Sequence, residues 1–265
     1  MSKTLGDRLL QAKVVLKQVH ALLAKHPALL PTDLGNSFRA LSDYDAEIDH
    51  WIGMLDARAV ARQFLDGLET RADANQNVTL GALSAKYHHV RLIGVQAYET
   101  TNWSIADSIT AMVGRVLCTR AAAFQPQLAS HFVQKDRKTK TAAVVFDSVK
   151  EVFGWPVGIS YAIRNHFVHR GGQVGSIDFF EGPLPASAFQ ISADGWDYID
   201  RTARLEYEVD QSHHRAGASW PSNPTDDLRV LLAICEREMD DALGVLLGAA
   251  CGSLLAHVGF MVGED

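Results

Sequence analysis

Ser160-Tyr-Ala-Ile-Arg-Asn-His-Phe-Val-His-Arg-Gly-Gly172 reads as the end of an internal helix. Taking Ile163 as 0° and advancing about 100° per residue, Ile159 and Phe167 fall within about 40° of it and make an apolar stripe. Asn165 and His169, four apart, share the opposite side. Arg164 lies between the two faces. Arg164 and His169 are five apart and do not overlie each other on a straight α-helix. Gly171-Gly172 is the stop.

The same period recurs outward from this segment and predicts a mainly all-α fold. Leu5, Leu9, Leu10, Leu16, Val19, Leu22 and Leu23 mark a helix over 4–25, ended by Pro27 and Pro31. A second runs from Asp45 to Glu69, with Ile48, Trp51, Ile52, Leu55, Val60, Phe64 and Leu68 inward. The polar stretch Arg71–Asn77 separates an N-terminal helical region, 1–76, from a second region, 77–265. There a helix is expected from Leu80 to Thr100, a break at Thr101-Asn-Trp-Ser104 with a serine or asparagine cap, and a helix to Arg120. A helix over 142–153 follows, and Pro156 suits the first turn of a separate motif helix. Ile177–Phe180, Ala188–Ser192 and Leu205–Val209 read as short strands or extended chain in an insert at about 174–224. From Thr225 one helix reaches residue 260.

An arginine that keeps its charge beside a histidine that titrates near neutrality suits work on a phosphodiester. Metal-free RNA cleavage needs a group to take the 2′-OH proton, a group to protonate the leaving 5′-oxygen, and a cation for the phosphoryl oxygens.

Arg164-Asn165-His166-Phe167-Val168-His169 resembles the motif of HEPN-domain proteins: an arginine, a polar residue that is often asparagine, a few residues and a histidine at the end of an internal helix. Four residues intervene here, the short end of the family's range. The resemblance implies a HEPN-like helical bundle and a homodimer whose two motifs face one cleft. It implies a metal-independent endoribonuclease that acts by 2′-OH attack, as a toxin or an antiviral-defence effector. RNA, and an antitoxin or defence-system protein, are the implied partners. His169 is then the general acid/base, Arg164 the phosphate clamp, and Asn165 the residue that orients His169 or the RNA. Other members have lost activity, so a non-catalytic helical module that binds a protein or RNA is the alternative.

His166 and Arg170 are further candidates for touching RNA, as are Lys135, Arg137, Lys138 and Lys140 of a basic run before the motif. Glu99 and Asp107 are candidates for orienting Arg164 or His169. No His/Cys set has metal-ligand spacing, so neither metal nor cofactor is expected. No phosphate-binding loop and no nucleophile elbow occurs. The net charge is −6, unlike a protein coated in nucleic acid. Cys118, Cys235 and Cys251 are scattered, as free thiols in a cytoplasm are, and no signal peptide is expected. Residues 242–262 are long and apolar enough to span a bilayer and carry a Gly244-Gly248-Gly252 ladder. Acidic residues flank them on both sides, which favours a core or interface helix over a membrane span.

Overall fold

The computed structural model describes residues 3–25, 32–68, 77–117, 128–133, 140–169, 193–216 and 228–263. The fold is mainly all-α. The elements in order are α1 (Leu5–Lys25), α2 (Thr32–Gly67), β1 (Asn77–Leu80), β2 (Leu83–Lys86), α3 (Tyr87–Leu117), α4 (Ser130–Val133), α5 (Lys140–Arg164), a π-helical turn (Asn165–His169), α6 (Ala193–Glu206) and α7 (Leu228–Gly263). The boundary expected at residue 76 lies outside the described residues. Contacts group the chain into two interleaved units: Met1–Leu55, Ile105–Lys150 and Asp240–Asp265 form one, and Asp56–Ser104 with Glu151–Met239 the other.

In the first unit, α1 opens on a reciprocal cap. The Asp7 N–H donates to Thr4 Oγ1 at 3.1 Å, and the Thr4 N–H donates to Asp7 Oδ2 at 3.0 Å, so two donors left over at a helix start are satisfied. Leu5, Leu9, Leu16 and Val19 of α1 are buried, with Ile48 and Trp51 of α2 and Ile105, Ile109 and Val113 of α3. Phe146 of α5 stacks on His131 of α4, ring centroids 3.9 Å apart. Arg8 of α1 pairs with Asp241 of α7 at 3.3 Å.

The second unit holds the motif and the hairpin β1–β2. Leu80 pairs with Leu83 across a two-residue turn in which Gly81 has φ 61°, a conformation that glycine adopts without steric cost. The chain is therefore extended where a helix was expected from Leu80, and α3 begins at Tyr87. The break expected at Thr101–Ser104 is absent as well. Thr101 Oγ1 donates to the Ala97 carbonyl at 2.9 Å and Ser104 Oγ to the Thr100 carbonyl at 2.7 Å. These hydroxyls bond back along the helix instead of starting a new one. Asn102 is buried and accepts from Arg58 Nη1 at 3.0 Å.

Within 174–224, α6 takes the place expected for extended chain. Its buried residues Gly195, Tyr198, Ile199, Thr202 and Ala203 recur at helical spacing. Leu205, whose alternation with Tyr207 and Val209 looked like a strand, is 74% exposed in the last helical turn. The strands expected at 177–180 and 188–192 lie outside the described residues. Val60 and Phe64, expected inward, are 65% and 38% exposed, while Leu65 beside them is buried.

Candidate functional site

The motif ends a helix longer than its sequence suggests. Pro156 sits inside α5 rather than at its start. A proline there removes one rung of the ladder and crowds the preceding turn. The neighbouring Trp155 N–H leaves the ladder too and donates to the His213 carbonyl at 2.7 Å, so a loop beyond α6 supports the helix where it is weakest.

Arg164 is the last α-helical residue, and Asn165–His169 form a π-turn. A π-helix closes i→i+5 bonds, so one turn takes between roughly four and five residues instead of 3.6. The backbone position of His169 thereby comes round toward the side of Arg164, which a straight α-helix would not allow. Gln96 of α3 holds the turn from outside: its Nε2 donates to the Phe167 carbonyl at 2.6 Å.

Arg164 is half-buried and lies over the Tyr161 ring, its guanidinium carbon 5.4 Å from the centroid. Tyr161 meets Trp103 edge-on at 4.7 Å and Tyr207 edge-on at 4.8 Å. Asn165 Nδ2 donates to the Tyr207 hydroxyl at 3.5 Å. Burial, with Tyr161 and Glu206 nearby, raises the Tyr207 pKa and keeps this phenol protonated. Ile159, Ile163 and Phe167 are wholly buried. His166, a candidate for touching RNA, is wholly buried too. Its ring lies against Phe167 and Tyr198 at 5.0 and 5.4 Å, the setting of a core residue.

One helical turn before Arg164, a buried polar seam runs through Ser160. Glu99 of α3 is inaccessible to solvent. Its Oε2 accepts from Ser160 Oγ at 3.4 Å, and Ser160 Oγ accepts from Trp103 Nε1 at 3.1 Å. Burial pushes the Glu99 carboxyl up to about 8, against the opposing pull of Ser160 and of the Arg164 charge, with Glu236 adding to the rise. Glu236 of α7 accepts from the Tyr98 hydroxyl at 2.5 Å and pairs with Arg58 at 3.5 Å. Ser160, Gln96, Tyr98, Tyr207, Arg58 and Glu236 escaped the sequence reading. Each is an ordinary residue in the sequence, and only packing brings it to the motif or to the seam. The one legible signal was a serine and two tyrosines on or near an otherwise apolar helix.

The other candidates lie elsewhere. Asp107 belongs to the first unit and accepts from the Leu128 N–H at 3.3 Å. Arg170, Lys135, Arg137 and Lys138 lie outside the described residues, as do the side chains of His169 and Lys140. Arg215 of the His213-His-Arg215 loop pairs with buried Glu238 at 3.3 Å and covers Phe153 at 5.0 Å, a structural role. Among the described residues, no group of three His, Cys, Asp or Glu side chains is placed to hold a metal ion. Cys235 is buried and Cys251 half-buried; burial raises both thiols, Cys251 to about 11.

The last helix is the one described helix long and apolar enough to cross a membrane. Its glycines differ from one another. A Cβ on Gly244 would collide with Arg8, whereas at Gly248 and Gly252 it would meet no atom of the described residues within 4 Å. These two face a groove of about 550 Å³, lined also by Lys3, Gln11, Val15 and Leu255. The close helix approach expected along the ladder is not made there within the described chain. No known protein family, curated protein or solved structure matches this sequence.

Proposed function

We propose that this chain is a metal-independent endoribonuclease of the HEPN type. The observation that carries the reading is the π-turn at Asn165–His169, placed where the Arg-Asn…His motif requires residues five apart to serve one cleft. Arg164 is half-buried over an aromatic ring, and its planar, permanently charged guanidinium is the group we assign to the non-bridging oxygens of a phosphate. In the proposed reaction the 2′-oxygen attacks phosphorus, the bond from phosphorus to the 5′-oxygen breaks, and a 2′,3′-cyclic phosphate forms. His169 moves the proton, which ends on the 5′-oxygen. Asn165 is anchored through its amide to Tyr207, which suits a residue that orients its neighbours. We assign a homodimer, in which a second motif doubles the cation in the cleft, and a cytoplasmic role as a toxin or defence effector under the control of a partner protein.

A second reading, a non-catalytic helical module that binds protein or RNA, is favoured by the net charge of −6 and by the burial of His166. One experiment separates the two. The purified chain in EDTA should cut single-stranded RNA and leave cyclic phosphate and 5′-hydroxyl ends, and His169→Ala should abolish the cleavage without loss of helix content. RNA that stays intact with the parent chain favours the binding module. Cleavage that continues at full rate in His169→Ala removes the assigned role.

A further inference from the structure

We propose that the groove between α1 and α7 binds a single-chain amphiphile with an anionic head, a long-chain carboxylate taken from water. The groove lies within the first unit, whereas the motif belongs to the second, and the proposal is independent of the nuclease reading. Its volume of about 550 Å³ is within the range of small-molecule sites, roughly 300–1,000 Å³. The lining sorts by chemistry. Among its described residues, Lys3 and Arg8 carry charge and both are cations, on a chain whose net charge is −6. Lys3 Nζ donates to Gln11 Oε1 at 3.0 Å, and Arg8 Nε donates to the Lys3 carbonyl at 3.5 Å, so the polar groups are tied together. The Arg8 guanidinium lies where a Cβ on Gly244 would stand, which puts the cationic end at Gly244. Leu255, at the other end, lies three helical turns further along α7, about 16 Å.

Charge decides the head of the ligand. Asp241 answers Arg8 at 3.3 Å. Lys3 is held by the neutral oxygen of Gln11, and Asp7, which feels its charge, accepts from the Thr4 N–H and hydroxyl instead. Among the described residues no carboxylate pairs with the Lys3 ammonium, which suits it to a carboxylate brought from outside. Shape decides the tail. Gly248 and Gly252 have no side chain, and no atom of the described residues stands within 4 Å of where a Cβ would be. A trough is left along α7, walled by Val15, Leu247, Cys251 and Leu255, in which a methylene chain can lie. Burial alone raises the Cys251 thiol, the mark of an apolar wall. A bare phosphate makes no use of such a wall, and a nucleic acid makes none of the apolar end.

The test is calorimetric titration of the full chain with octanoate, decanoate and dodecanoate, each below its micelle-forming concentration. One molecule should bind per chain, and each added methylene should strengthen binding about three- to fourfold, the worth of a buried CH₂. Gly248→Leu puts a side chain into the trough and should weaken dodecanoate binding about tenfold or more. Its thermal stability should be kept, since the new side chain starts in open space. Should Gly248→Leu not fold, Gly252→Leu serves on the same ground. Lys3→Gln should weaken dodecanoate about two- to fivefold, the scale of an exposed ion pair, and leave binding of dodecanol as it was. No binding, an affinity that does not grow with chain length, or dodecanoate binding that both glycine variants leave unchanged overturns the proposal. Binding that Lys3→Gln does not weaken, or weakens alike for the alcohol, overturns the anionic head. So does a chain that ignores dodecanoate but sediments with vesicles of phosphatidylcholine and phosphatidylserine, which makes the groove a bilayer contact. A chain that ignores dodecanoate and forms a dimer that Gly248→Leu breaks gives the groove to a second copy instead.

Discussion

Two apolar helical segments of this chain, each punctuated by glycines, meet opposite fates. In α5 every residue from Phe153 to Ile163 is buried, glycines and serine included. In α7 the stretch from Gly244 to Leu255 is covered along one side only: Leu246, Leu247 and Leu254 are buried, whereas Val245 is 43% and Leu255 40% exposed. Gly158 of α5 lies under Val209 and Ala203; among the described residues, no atom lies within 4 Å of where a Cβ on Gly248 of α7 would stand. Hydrophobicity says that a helix wants cover, but only the rest of the chain says whether cover arrives. The difference has a functional side. The covered segment can hold polar groups in fixed places, since Trp103, Ser160 and Glu99 are locked by packing, and the half-open segment cannot.

The largest effect that would sharpen this contrast is loss of core volume. Phe167→Ala should cost about 3–5 kcal/mol, as large aromatic truncations in cores do. Leu255→Ala on the open side should cost less than about 0.5 kcal/mol. Denaturant unfolding of the two variants measures both, and equal costs would erase the distinction between the segments.

The buried acid comes next. Burial raises the Glu99 carboxyl in the fold to about 8 from its ordinary value of 4.5. Between those values the folded chain binds more protons than the unfolded chain, so its stability falls as pH rises. The contribution is fully present below about 4.5, is lost progressively up to about 8, and is flat beyond. The parent should lose on the order of a few kcal/mol across that window, and Glu99→Gln should not. Parallel slopes for parent and variant in pH-dependent unfolding would mean that Glu99 is not desolvated as described.

The smallest effects compare the glycines directly. A Cβ on Gly158 would stand 2.6 Å from Val209 Cγ2, so Gly158→Ala should cost about 1–3 kcal/mol, with much of the loss recovered in the double variant with Val209→Ala. Gly248→Ala should instead gain about 0.5–1 kcal/mol, the ordinary preference of a helix interior for alanine. A loss of stability there, or a change of association state, would show that something covers the ladder in solution.

Local period was legible without the structure. The apolar spacing in α1, the inward Ile48 and Trp51 of α2, the long last helix and the helix end at Arg164-Asn165 are all encoded within a few turns, because a helix repeats every 3.6 residues and its faces can be counted. What failed were expectations that depend on distant partners. Thr101, Ser104 and Pro156 are all residues that can end a helix. They do not, because hydroxyls bond back to their own helix and the His213 carbonyl receives the Trp155 N–H. Leu205–Val209 alternates like a strand, yet Leu205 and Glu206 are the last residues of α6, whose Tyr198, Ile199 and Thr202 find cover on one side. His166 is as polar in sequence as His169, and burial alone makes it a core residue. The arginine, the asparagine and their place at a helix end could be read from the sequence. The π-turn depends in part on Gln96, 71 positions away, and the carboxyl bonded by Ser160 comes from another helix. Periodicity is a property of neighbours in the chain, whereas satisfying a freed carbonyl or a buried charge depends on whichever group folding carries to it.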